Sequence, residues 1–336
     1  MDFSASINPL GPPRSARRAF TKSYAEISHY PDLGGSVLRE ALARRHGLNP
    51  EKVLLGNGSA QLIYLICRAL RPKSALVVHP AFCEYAHALE LVGCAVRSYR
   101  LSADEEFRFC LTKLEPELSR ELDLVFLANP NSVTGGLIPR SEIEELASLA
   151  LRKRFFLVID EAFIDFIEEE SANRLLRANP YLIILRSLTK YYGVPGLRIG
   201  YLLGNEKIVR LLAYQQEPWS VNLPAQRVAL ACLGDEAFNL RTSRWLSEQR
   251  RYLLKGLSRI PRLRPYPSQG NFILTRCDGS LVPEVRAFLL KRNILVRACD
   301  SFLGLGDNFF RVAVRLRNDN RRLLKALEEF MTAHNS

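Results

Sequence analysis

Two kinds of spacing alternate along the 336-residue chain. Apolar positions recur every three or four residues over 35–47, 58–70 and 140–153, the period of a helix with one buried face. Short runs rich in β-branched and aromatic residues lie around them, at 75–79, 95–101, 123–128, 155–160, 182–188 and 199–204. Strands separated by helices predict a largely parallel sheet covered by helices. A long helical region from about 222 to 258 comes next. A second strand set follows at 271–276, 294–298 and 309–314, with helices near 281–291 and 318–331. The expected fold is α/β, a large domain with a mostly parallel sheet plus a smaller carboxyl-terminal α/β domain. The expected division is an irregular, proline-bearing arm at 1–33, a large domain at 34–235, and a small domain at 236–336 after a connecting helix.

Composition narrows the function classes. A hydrophobic content of 47% can fill two cores in a chain of this length. The longest apolar runs, such as 61–67 and 155–159, stop well short of the ~18 residues of a membrane span. The first residues, MDFSASINPLGPP, lack the basic flank and apolar core of a signal peptide, so a cytoplasmic protein is expected. Seven scattered cysteines form no Cys-x-x-Cys pair, which predicts free thiols and no metal site. The net charge of +12 comes from basic residues spread singly along predicted helices. That distribution favours an anionic small-molecule substrate over nucleic acid or a membrane surface.

The nucleotide alternatives fail on spacing. The stretch GNGSAQ at 56–61 lacks the third glycine of a dinucleotide fingerprint, and no Gly-x4-Gly-Lys-Ser/Thr occurs. Another phosphate-holding arrangement is present in ILRSLTKYYGVPGLRIGY at 184–201. There an apolar strand delivers the hydroxyls of Ser187 and Thr189, the amine of Lys190 and the guanidinium of Arg198 to one loop. Pyridoxal 5'-phosphate needs a lysine for a Schiff base, an acid beside its pyridine nitrogen and a phosphate cradle. Asp160 ends the strand at 155–160. A lone aspartate there would read as a helix cap, but Lys190 after the next strand reverses that preference. Gly58, Ser59 and Ala60 open a helix whose free N–H groups attract anions, and Phe82 is an aromatic able to cover a pyridine face.

Together these motifs resemble the fold-type I pyridoxal-phosphate enzymes, in their histidinol-phosphate aminotransferase-like branch. The resemblance runs nearly the whole chain: DFSASINPLG at 2–11, HYPD at 29–32, GNGSAQ at 56–61, NPNSVTGG at 129–136, DEAFIDF at 160–166, SLTK at 187–190, GLRIGY at 196–201 and FRVAV at 310–314. It implies Lys190 as the Schiff-base lysine and Asp160 as the partner of the pyridine nitrogen. It puts Ser187, Thr189, Arg198 and the Ser59 and Ala60 amides at the cofactor phosphate. Phe82 would stack on the ring. Tyr30 would reach the phosphate of a neighbouring subunit, which implies a homodimer with shared sites. Arg311, Arg297 and Asn8 would face the substrate, whereas Arg315 and Arg317 read as surface ion pairs.

Two positions depart from that branch. Ser132 stands where the family has an asparagine bonded to the cofactor's phenolic oxygen, and Phe163 stands where aminotransferases often have a tyrosine on the same oxygen. Fewer donors there predict a higher pKa for the protonated Schiff base. DFSASINPLG at 2–11, AFCEY at 81–85, DEAFIDF with its Phe163 and PWSVN at 218–222 resemble most the phospho-amino-acid decarboxylases of that branch, and this resemblance implies decarboxylation of a phosphorylated amino acid. Transamination of histidinol phosphate or a related amino acid is the alternative. A cofactor-binding protein without catalysis is a third reading, disfavoured by the intact Lys190 and the absence of an appended helix-turn-helix motif.

Overall fold

The apolar runs assemble into a seven-stranded sheet in the computed structural model, which describes residues 1–279 and 281–334. Its strands are β1 (Val53–Gly56), β2 (Ser74–His79), β3 (Ala95–Arg100), β4 (Leu124–Ala128), β5 (Phe156–Asp160), β6 (Leu182–Ser187) and β7 (Gly200–Leu203). They lie in the order β1-β7-β6-β5-β4-β2-β3. The five strands β6-β5-β4-β2-β3 pair in parallel, and β7 and β1 close one edge antiparallel. Both faces are covered, which is why these strands read as continuous apolar runs. Val125, Leu127, Leu157, Ile159 and Ile184 enter one core, and Leu124, Phe126, Val158, Ile183 and Leu185 enter the other.

A second, antiparallel sheet holds β8 (Leu263–Pro265), β9 (Phe272–Cys277), β10 (Arg297–Ala298) and β11 (Phe309–Ala313) in the order β10-β11-β9-β8. Helices Glu236–Leu257, Val282–Lys291 and Arg317–Ala333 pack on it around Phe310, Val312 and Leu327. The amino terminus joins this unit: Phe3 N donates to Leu295 O (2.7 Å), and Ala313 N donates to Phe3 O (2.8 Å).

Three local expectations change. The arm at 1–33 contains a helix, α1 (Arg14–Ser23). It starts directly after Pro12-Pro13, where a missing N–H costs nothing, and its basic residues hide the small face formed by Ala16 and Ala19. The helical region at 222–258 is two helices, Leu223–Leu233 and Glu236–Leu257; Gly234 ends the first, and the Asp235 carboxylate caps the second by accepting from Phe238 N (2.9 Å). The expected strand at 294–298 pairs only at Arg297 and Ala298, its earlier part being taken up by the arm. Strands β1 and β8 are too short to show an apolar period. The remaining helices that frame the site are α2 (Ser36–His46), α3 (Gly58–Leu70) and α4 (Glu84–Glu90). No helix among the described residues is long and apolar enough to cross a membrane.

A buried ion cluster lies beside the sheet. Arg186 of β6, fully buried, meets Glu161 (3.1 Å), Asp165 (3.1 Å) and Glu168, while Arg45 of α2 lies 3.6 Å from Asp165. His46 is held between Tyr201 and Asn173, and burial beside two guanidiniums pushes it down to about 3. Burial pushes Glu161 up to about 7, against the attraction of Arg186. The folded chain therefore keeps the Glu161 proton where the unfolded chain has released it, so this group's contribution to stability falls as pH rises from 4.5 to about 7. His46 contributes the opposite slope, so the comparison with wild type isolates Glu161. The melting temperature of Glu161→Gln minus that of wild type should therefore rise with pH across that interval, whatever its starting value, as read by thermal melts at several pH values.

Candidate active site

The parallel strands β4, β5 and β6 end along one edge, the position where open α/β sheets place their ligands. At that edge β5 presents Asp160, and β6 runs into a single helical turn, Leu188–Tyr191, that carries Lys190. The Lys190 amine is enclosed. It donates to Ser187 Oγ (3.2 Å) and sits 5.6 Å from the centre of the Phe163 ring. Burial lowers its pKa, and Arg198 and Arg311 lower it further; the Asp160 carboxylate opposes them. Burial in turn raises the pKa of Asp160, against a hydrogen bond from Tyr85, the charge of Lys190 and the Ala162 N–H. A buried amine with a lowered pKa and a buried carboxylate with a raised one thus influence each other at the strand ends, a combination that marks a candidate reactive site.

An anion cradle adjoins the amine. Ser187 Oγ and Thr189 Oγ1 are 2.8 Å apart. Arg198, in the left-handed region at φ 55°, turns its guanidinium onto the first residue of α3. A Cβ at Gly58 would lie 2.4 Å from Arg198 Nη2, and a Cβ at Gly200 would lie 2.6 Å from Ser59 N. Both glycines are needed for this close approach. The start of a thirteen-residue helix, with Ser59 and Ala60, a guanidinium and two hydroxyls converge there, which suits a phosphate.

A second cationic group, Arg311, acts on the same amine. Arg311 is almost wholly enclosed, and burial pushes it down to about 10. Its guanidinium lies 4.7 Å from the Phe272 ring centre and donates from Nη1 to the main-chain oxygen of Ser132 (2.6 Å), while Nε has no partner. Phe272 meets Phe163 edge-on at 5.0 Å, so Lys190 and Arg311 rest on adjoining rings. Arg297, opposite Arg311 across the β10–β11 ladder, is exposed and donates to Ser301 Oγ (3.2 Å). Neither arginine forms an ion pair among the described residues. Ser132 has a buried hydroxyl without a hydrogen-bond partner among the described residues, and the partly exposed Phe82 ring stands perpendicular to Tyr85 at 6.0 Å.

Two expected residues lie elsewhere in the single chain. The Tyr30 ring is 81% exposed and rests against Trp219 at 4.7 Å. Asn8 is buried with its amide fully engaged: Nδ2 donates to Tyr191 O (2.8 Å) and Thr242 Oγ1 (3.0 Å), and Oδ1 accepts from Leu10 N (3.0 Å). Its own N–H donates to Lys190 O (3.0 Å), so Asn8 ties the arm to the lysine turn. Of the two expected surface pairs, Arg315 bonds Asp319 (3.0 Å), whereas Arg317 lies over the Tyr252 ring.

Sequence reading missed Tyr85 and Asn131. The Tyr85 hydroxyl donates to Asp160 Oδ2 (2.6 Å), and its fully buried ring stacks on Phe126 at 5.0 Å. Its position three residues after Phe82, at the start of α4, was the available signal. Asn131 shapes the 129–136 loop by accepting from Val133 N and Thr134 N and donating to Pro80 O, each at 2.9 Å. Tyr85→Phe should raise the Asp160 pKa further, because the hydroxyl's hydrogen bond helps to hold it down. A carboxyl-resolved infrared or NMR titration reads that shift.

The strand order, the second antiparallel sheet and a buried lysine on the turn after β6 define the fold-type I aminotransferase architecture. The chain belongs to the aminotransferase class I and II family, whose model matches residues 1–327. It is 38% identical to a threonine-phosphate decarboxylase of Salmonella typhimurium, over 99% of this chain and 91% of that one. Among solved structures, a histidinol-phosphate aminotransferase from Clostridium acetobutylicum superposes with a TM-score of 0.93 at 28% identity, covering 99% of both chains. An L-threonine-O-3-phosphate decarboxylase from Porphyromonas gingivalis superposes with a TM-score of 0.87 at 25% identity, again over 99% of both.

Proposed function

We propose that this chain is a pyridoxal 5'-phosphate-dependent lyase that decarboxylates L-threonine O-3-phosphate to (R)-1-amino-2-propanol O-2-phosphate, a step that serves cobalamin biosynthesis. The observation that carries the reading is the pairing of a buried amine, Lys190, with a buried guanidinium, Arg311, that has no carboxylate partner among the described residues. The 38% identity to a threonine-phosphate decarboxylase selects among the reactions such a site can serve.

The residues fit the cofactor. The cradle of Ser59, Ala60, Ser187, Thr189 and Arg198 accommodates its phosphate, Asp160 offers a carboxylate to its ring nitrogen, and Phe82 flanks its face. The orphaned Ser132 hydroxyl is a donor awaiting an acceptor. Bound there, pyridoxal 5'-phosphate supplies an electron sink for the carbanion left when a substrate loses carbon dioxide. Lys190 would hold the cofactor and supply from Nζ the proton that replaces the lost carboxylate on the substrate's α-carbon. Arg311 and Arg297 would bind the phosphate and carboxylate of the substrate and so orient the bond to be broken. Phe163 and Phe272 keep water from the amine. The reading also divides the chain into an arm at 1–33, a cofactor domain at 34–235 and a small domain at 236–336. It further holds the protein to be a cytoplasmic homodimer in which Tyr30 serves the partner's phosphate site.

Gly58→Ala tests the cradle. The new methyl group meets Arg198 Nη2, and a left-handed φ of +77° is strained for alanine, so cofactor affinity should fall about tenfold or more. Equilibrium titration of the cofactor measures this. The reaction itself is tested by the need for a keto acid. Turnover of L-threonine O-3-phosphate without one, with aminopropanol phosphate identified by NMR, is the expected result. Turnover of histidinol phosphate only when 2-oxoglutarate is present would favour the aminotransferase reading, to which the 0.93 TM-score gives weight.

A further inference from the structure

The ion cluster around Arg186 is attached to both halves of the reactive pair. Glu161 directly follows Asp160, and Arg186 directly precedes Ser187, the residue whose hydroxyl accepts from Lys190. Strands β5 and β6 are neighbours with Asp160 opposite Leu185, and Glu161 N donates to Leu185 O (2.8 Å). The alternation of side chains turns Asp160 and Ser187 to the pocket and Glu161 and Arg186 away from it. The Glu161–Arg186 pair at 3.1 Å, with neither side chain exposed, therefore bridges the two strand ends from behind. Glu161 is fixed in turn by Ser171 Oγ and Ala172 N, both donating at 2.7 Å. Three carboxylates, Glu161, Asp165 and Glu168, face Arg186, and Arg45 meets only the outer two. An arrangement of this cost in desolvation is tolerated where it fixes geometry.

We propose that Glu161 and Arg186 are positioning residues: as a buried clamp on the ends of β5 and β6 they set the spacing between Asp160 and Lys190. The clamp rests on the cofactor reading above for its catalytic consequence. A misplacement of about 1 Å at a reacting group can cost about 100-fold, so loosening the strand ends has a kinetic signature distinct from lost stability.

The test compares cofactor-loaded Arg186→Met, Glu161→Gln and Arg45→Met with wild type, each first shown to be folded by circular dichroism. For the two clamp variants kcat should fall about tenfold or more with KM within about twofold, and the pH midpoint of the bound cofactor's absorbance should move by about half a unit or more. Arg45→Met, at the outer edge, should lower the melting temperature and leave both readouts in place. Should Arg186→Met fail to fold, the near-isosteric Glu161→Gln decides. A folded clamp variant with wild-type kcat and absorbance midpoint overturns the proposal. So does an equal kcat loss in Arg45→Met, which would mean general loosening. Hydrogen exchange of the Glu161 amide in cofactor-free protein separates the two readings. Faster exchange in Glu161→Gln supports the clamp even if wild type shows no cofactor absorbance, a result that would sink the cofactor reading alone; unchanged exchange overturns the clamp.

Discussion

Lys190→Ala should abolish the visible absorbance of the cofactor-loaded protein and reduce turnover by about 10,000-fold or more. The expectation follows from what surrounds the amine. Lys190 is enclosed beside Phe163 and bonded to Ser187 Oγ, and burial lowers its pKa, the direction that favours a nucleophilic amine in the proposed reaction. Proton transfer by a positioned group is worth about 100- to 10,000-fold by itself, and loss of covalent attachment adds to it. Alanine leaves the phosphate cradle untouched, so the cofactor should still bind, weakly and without the bound-form spectrum. Absorbance and steady-state rates on one preparation check both parts. A variant that kept its absorbance and turnover would remove Lys190 from the chemistry.

Asp160→Asn is the second large effect. Asparagine keeps an acceptor at Oδ1 for Ala162 N and turns Nδ2 to the Tyr85 hydroxyl, which can accept there instead of donating, so the fold around it should hold. What disappears is the negative charge. The Lys190 pKa should drop further, because Asp160 is the group that opposes its burial. Without a carboxylate to keep the cofactor's ring nitrogen protonated, the electron sink weakens. Removing one preorganised electrostatic partner in a dry site typically costs about 100- to 1,000-fold, and that is the loss in kcat expected here. A loss confined to melting temperature would make Asp160 a structural residue only.

Strands β2, β4, β5 and β6 were legible because burial on both faces writes an unbroken apolar run, and the residues at their ends could then be read as site candidates. The cradle was legible for a related reason: Gly58, Arg198 and the Ser187–Lys190 turn each depend on local backbone demands. Tyr85 was not. Nothing in a single sequence says that a tyrosine one helical turn after Phe82 will aim its hydroxyl at a carboxylate seventy-five residues away. The helix α1 escaped because its buried face is only alanine and serine. Asn8 shows the converse, a motif residue whose amide is consumed by Tyr191, Thr242 and Leu10, so that its contribution is to hold the lysine turn. The Glu161–Arg186 clamp joins residues twenty-five positions apart and exists only once β5 lies beside β6.

The decisive measurement is carbon dioxide release from L-threonine O-3-phosphate by the cofactor-loaded protein with no keto acid present. Sustained release over many turnovers is expected. Absence of release, with amino transfer from histidinol phosphate appearing once 2-oxoglutarate is added, would contradict it.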